Sequence, residues 1–79
     1  MKVSVLFFGQ TAEIVGEREV EMSFDNSTKA SVAFANIVEK YPRLSENKLL
    51  FAVNQTYANG DEIINNGDEL AVFTAVSGG

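Results

Sequence analysis

Thr28-Lys29-Ala30-Ser31-Val32-Ala33-Phe34-Ala35-Asn36-Ile37-Val38-Glu39-Lys40-Tyr41-Pro42 is the stretch that decides the fold. Within it Ala30, Ala33, Phe34, Ile37, Val38 and Tyr41 recur at helical spacing and make one apolar stripe. An amphipathic helix with one buried face is expected here. The polar run Asp25-Asn26-Ser27-Thr28 in front of it is rich in capping residues, and Thr28, within a residue or two, is the expected N-cap. Pro42 closes the helix, because it disfavours helical geometry at Tyr41 and has no backbone N–H to donate.

On either side of this helix the period changes from that of a helix to that of a strand. Residues 2–8 alternate, with Val3, Val5 and Phe7 on one face and Lys2, Ser4, Leu6 and Phe8 on the other. Gly9 ends this strand, and residues 11–15 form a helical turn stopped by Gly16. Residues 17–24 are a second strand, with Val20, Met22 and Phe24 inward and Glu19, Glu21 and Ser23 facing water. After the helix, residues 49–53 form a third strand. Asn59-Gly60 marks a turn before a short strand at Ile63-Ile64, and Asn66-Gly67-Asp68 signals a hairpin into a last strand over residues 70–76.

The resulting order is strand, strand, helix, strand, short strand, strand. It predicts an α+β fold with a mixed sheet and one main helix packed on one face. The first and last strands are the most apolar and belong in the centre. This is the ubiquitin-like β-grasp. The 79 residues fit a single domain, 1–79, with a flexible C-terminal tail from about residue 75.

Composition narrows the chemistry. Hydrophobic residues make up 46% of the chain, enough for a globular core. It contains neither Cys nor His, so it has no thiol nucleophile, no Ser-His or Cys-His pair and no zinc site of the usual kind. No metal ligands are expected. The net charge of −5 argues against nucleic acid or an anionic membrane as partner. The apolar start is too short to span a membrane and lacks the marks of a signal peptide, so a soluble, cytoplasmic protein is expected.

The most informative residues are the last, Ala75-Val76-Ser77-Gly78-Gly79. Lacking Cβ atoms, Gly78 and Gly79 can enter a slot that admits little more than backbone. A carboxylate is a poor electrophile. A partner holding ATP and Mg²⁺ could convert that of Gly79 to an acyl-adenylate, which then accepts sulfur or an amine. The chain itself needs no cofactor for this. A second feature lies on the sheet. One helix covers only one face, so Leu6, Phe8 and Phe73, joined by Tyr57, are expected on the open face as a protein contact.

These segments resemble the small, sulfur-carrying subunits of molybdopterin synthase. The likeness lies in Val5-Leu6-Phe7-Phe8-Gly9-Gln10, in Lys48-Leu49-Leu50-Phe51-Ala52-Val53-Asn54-Gln55-Thr56, in Gly67-Asp68-Glu69-Leu70-Ala71-Val72-Phe73 and in Val76-Ser77-Gly78-Gly79. The resemblance implies that Gly79 is adenylated by an enzyme similar to ubiquitin-activating enzymes. It implies that a sulfur donor enzyme then supplies sulfur to give a thiocarboxylate. It further implies that the tail inserts into the large synthase subunit, within a heterotetramer, and delivers sulfur to cyclic pyranopterin monophosphate. Carried over by position, Gly78 and Gly79 are the reactive tail. Phe8, Tyr57, Phe73, Val76 and Ser77 meet the partners.

The chain departs from that family in two places. Thr74 and Ala75 stand where prolines often precede the tail, which implies a looser tail or a strand that pairs further. The helix carries Phe34 and alanines where the family favours leucines. Other readings of the same pattern are the sulfur carrier of thiamin thiazole synthesis, a protein modifier joined to lysines through Gly79, and a β-grasp binding module with an idle tail.

Overall fold

Alternation at Val3, Val5 and Phe7 builds the middle of the molecule, because each of these side chains is buried while its neighbours are not. The computed structural model describes residues 1–75. Chain order is β1 (Lys2–Phe7), α1 (Gln10–Val15), β2 (Glu19–Ser23), α2 (Ala30–Lys40), a 3₁₀ turn (Pro42–Glu46), β3 (Leu49–Val53), β4 (Thr56–Tyr57) and β5 (Glu69–Thr74). The five strands form one sheet in the order β2-β1-β5-β3-β4. β1 and β5 run parallel, and the other neighbours are antiparallel. Both terminal strands lie inside the sheet, and α2 packs on one face of it, which is the ubiquitin-like β-grasp.

The helical stripe does what its spacing requires. Ala30, Ala33, Phe34 and Ile37 are buried against Val3, Val5, Phe7, Leu70 and Val72. Two aromatic contacts fix the helix on the sheet: Phe34 and Phe51 have ring centroids 4.3 Å apart, and Phe7 meets the Tyr41 ring edge-on at 5.7 Å. Such pairs contribute about 0.5–1.5 kcal/mol beyond the area they bury. Gly16 stops α1 in the left-handed conformation, at φ 83°, as expected of a glycine C-cap.

One expectation is met a residue along and two fail, each for an identifiable reason. The N-cap falls one residue beyond Thr28, inside the expected margin, but not through a capping side chain. Lys29 occupies that position without a side-chain bond, while the Thr28 hydroxyl turns back to the Asp25 carbonyl. The free donors of the first turn are taken by main chain instead: Ala30 N–H donates to the Glu62 carbonyl at 2.7 Å, and Ser31 N–H to the Gly60 carbonyl at 3.0 Å. A neighbouring loop thus does the work of a capping side chain.

Ile63-Ile64 is not a strand. Ile63 makes a single bridge to Lys29, and Ile64 is buried as part of the core. The short strand is β4, paired to β3 at Ala52–Tyr57 and Val53–Thr56. Its two-residue turn is Asn54-Gln55, with φ 49° and 70°, a geometry that usually calls on Asn-Gly.

Asn66-Gly67 does not turn a hairpin. Gly67 has the expected positive φ, 87°, but the strand that follows pairs with β1 and β3 rather than folding back on the preceding segment. The turn is fastened to the start of β1: Lys2 N–H donates to Asn66 Oδ1 at 2.8 Å, and Gly67 N–H donates to the Lys2 carbonyl at 2.8 Å.

Loop 59–62 is organised by one carboxylate. Glu62 accepts from Asn59 N–H at 2.8 Å and from Gly60 N–H at 2.9 Å. The Asn59 N–H bond is the largest of the influences that hold the Glu62 carboxyl below its ordinary value.

Candidate functional site

The face of the sheet opposite α2 is built by residues one step out of phase with the core. Register places Glu19, Leu6, Ala71, Ala52 and Tyr57 in one row across all five strands. Leu50 and Phe73 form the next pair along β3 and β5. Because β1 and β5 are parallel and Phe7 pairs with Val72, Phe8 and Phe73 come next along the two strands. They stand at the rim from which the chain runs on towards Gly79.

Phe8 is 51% exposed and Tyr57 is 70% exposed, while Leu6 and Phe73 are half-buried. The Tyr57 and Phe73 rings lie 5.9 Å apart, inclined by 41°. Between them runs a groove of about 320 Å³ lined by Phe8, Ala52, Gln55, Tyr57, Glu69, Ala71 and Phe73. Ala52 and Ala71 floor it, and their small side chains make the depression between the aromatic walls. Sequence reading missed both alanines and Leu50. The alternation of residues 49–53 carries that information, because it puts Leu50 and Ala52 on the face opposite Phe51.

Charge on this face is acidic at its margins. Glu19 and Glu21 lie on β2, and Glu69 enters the groove at the base of β5. Lys2 reaches Glu21 at 3.7 Å with both side chains largely exposed, a pair worth at most about 1 kcal/mol. The groove offers contact area rather than reactive groups. Among the described residues no cluster of His, Cys, Asp or Glu is arranged to hold a metal ion, and no helix is long and apolar enough to cross a membrane.

Val76, Ser77, Gly78 and Gly79 lie outside the described residues. What leads to them is described. β5 pairs Thr74 with Leu49, and Ala75 N–H donates to the Lys48 carbonyl at 3.0 Å. Without a proline at residues 74 and 75, main-chain bonding therefore continues one residue beyond β5.

Buried at the same rim is one side chain that sequence reading passed over. Thr11, on α1, is fully buried. Its Oγ1 accepts from Phe8 N–H at 2.9 Å and lies 2.7 Å from the Val72 carbonyl and 3.0 Å from the Phe8 carbonyl. A threonine in a short helical turn carries no pattern that marks it as buried.

A β-grasp sheet with one helix-covered face and an apolar cluster beside its last strand is the architecture of ubiquitin-like proteins. The ThiS family matches residues 5–79, and the chain belongs to it. The molybdopterin synthase sulfur carrier subunit of Caenorhabditis briggsae is 41% identical, covering 100% of this chain and 99% of the relative. Among solved structures, SAMP1 from Haloferax volcanii has a TM-score of 0.87 at 28% identity, with full coverage of both chains. The complex of subunits 1 and 2 of molybdopterin-converting factor from Helicobacter pylori contains a chain of the same fold, with a TM-score of 0.71, 23% identity and 100% coverage of each.

Proposed function

We propose that this protein is the sulfur carrier subunit of molybdopterin synthase and that its reactive group is the Gly79 carboxylate. The observation that carries this reading is the end-to-end similarity to molybdopterin synthase sulfur carrier subunits. The apolar groove at the rim of β5 agrees with it.

In this reading the groove around Phe8, Tyr57 and Phe73 docks two cytoplasmic partners in turn. The first is an adenylyltransferase that binds ATP and Mg²⁺. A Gly79 carboxylate oxygen attacks the α-phosphate, pyrophosphate leaves, and the acyl-adenylate forms. Sulfide-level sulfur (HS⁻) supplied by a donor enzyme then attacks the carbonyl carbon, the C–O bond to phosphate breaks, AMP leaves, and the thiocarboxylate forms. The second partner is the large synthase subunit, in which the tail of Val76, Ser77, Gly78 and Gly79 hands its sulfur to cyclic pyranopterin monophosphate. The complex of subunits 1 and 2 known from Helicobacter pylori supports a partner of this kind. The carrier contributes recognition and an acyl group, and the catalytic groups belong to the partners.

Intact-mass measurement of the protein from its native host tests the proposal. Replacement of one oxygen by sulfur at the C terminus is expected. Deletion of Gly79 is expected to abolish molybdenum-enzyme activity in cells, and activity that survived the deletion would refute the reading. The likeness to SAMP1, whose structure is also described as that of a small archaeal modifier protein, favours one second reading. In it Gly79 forms isopeptide bonds with lysines, and a ladder of conjugates would replace the sulfur-bearing species.

A further inference from the structure

We infer that Thr11 is a positioning residue that sets the docking rim for activation of the C terminus. The inference rests on the sulfur-carrier reading above.

The sheet is interrupted beside Thr11. β1 pairs with β5 as far as Phe7 and Val72, and then the chain turns away at Gly9 into α1. The Val72 carbonyl, buried at the point where β1 ends, finds its partner in the Thr11 hydroxyl at 2.7 Å. A buried carbonyl without a partner carries a desolvation cost, so this contact is strongly held. The same hydroxyl oxygen accepts from Phe8 N–H at 2.9 Å. With one proton to give, Thr11 Oγ1 donates to Val72 and receives from Phe8. One buried atom therefore ties the main chain of Phe8 to the residue that precedes Phe73.

Phe8 and Phe73 both line the groove, yet they stand on separate segments and have no strand pairing with each other. Their relative height depends on how β5 sits against the β1–α1 corner. Thr11 fixes that height and with it the point from which the chain departs at Ala75. An exposed ring held at a set height binds with less ordering cost than one that must be gathered on contact.

The test is the adenylation reaction of the full-length carrier with its family adenylyltransferase and MgATP. Thr11→Val keeps the shape and removes both hydrogen bonds. It is expected to raise the KM for the carrier about tenfold, the scale of one or two lost hydrogen bonds, with kcat changed less than about twofold. Thr11→Ser is expected to restore the KM to within about twofold of the parent. Phe8→Ala combined with Thr11→Val is expected to lose less than the product of the single losses, because Thr11 acts through Phe8. Assays run well below the thermal midpoint, with folding verified by circular dichroism, exclude simple unfolding.

An unchanged KM in a folded Thr11→Val protein would overturn the inference, as would multiplicative losses. Should Thr11→Val fail to fold, Thr11→Ala takes its place with the same expectation, and failure of both would assign Thr11 to stability alone and overturn the positioning role. If the unaltered chain is not adenylated at all, it is the sulfur-carrier reading that falls.

Discussion

The Tyr57 ring on β4 and the Phe73 ring on β5 meet at 5.9 Å although β3 lies between their strands. They reach each other across β3 because Ala52, the residue paired with Tyr57, is too small to separate them. The contact leaves most of Tyr57 in solvent, so it costs the fold little to lose.

Phe73→Asp is therefore expected to leave the fold intact and to weaken binding to the large synthase subunit by about 30-fold or more, the scale of a central aromatic hot spot. Calorimetric titration with circular dichroism on the same sample checks both halves. Loss of the fold would place Phe73 in the core instead.

Ile37 is fully buried on the helical stripe. Ile37→Ala is expected to cost about 2–5 kcal/mol, a large share of the stability of a domain this small. Urea unfolding followed by far-ultraviolet circular dichroism measures it. A loss under about 1 kcal/mol would mean that α2 does not seal the core as described.

Gln55 holds φ at 70° in a two-residue turn, where a residue with a Cβ is strained. Gln55→Gly is expected to raise stability by about 0.5–1 kcal/mol, because it supplies the Asn-Gly pair that this turn prefers. A fall in the urea midpoint would contradict the turn geometry.

Glu62 accepts two main-chain N–H groups in the loop that covers the start of α2, and its carboxyl is held below its ordinary value of 4.5. A depressed folded pKa means that the ionised form is favoured by folding. Its contribution is complete above pH 4.5 and is lost as pH falls through the lower, folded value. Glu62→Gln is expected to flatten the acid limb of the stability curve and to speed amide exchange at Asn59 and Gly60 at neutral pH. Identical acid limbs for parent and variant would remove Glu62 from this role.

Much of the fold was legible because periodicity reports burial directly. The alternation at Val3, Val5 and Phe7 and the stripe from Ala30 to Tyr41 each state which side faces the core. Residues 49–53 match β3 to the residue. Turn chemistry was less informative about topology. Asn66-Gly67 has the positive φ its residues promise, but a turn cannot announce which strand its successor will join, and here the parallel pairing with β1 decides. Asn54-Gln55 was overlooked because β-sheet pairing forces a left-handed conformation on a residue that does not advertise it. The first turn of α2 is capped by carbonyls about thirty positions away in sequence, which no local pattern encodes. The aromatic members of the candidate site stood out as apolar residues on the uncovered face, whereas Thr11 and the alanine floor did not. Their importance lies in what they are next to.

The parallel course of β1 and β5 has a metric consequence. Gly79 is four residues beyond Ala75, and an extended chain advances at most about 3.6 Å per residue, so Gly79 stays within about 14 Å of Ala75 in any conformation. The same bound applies to a partner that would seat on Phe8 and Phe73 at this rim. If Gly79 is the reacting residue, an enzyme that grips this rim must keep its reaction centre inside that radius.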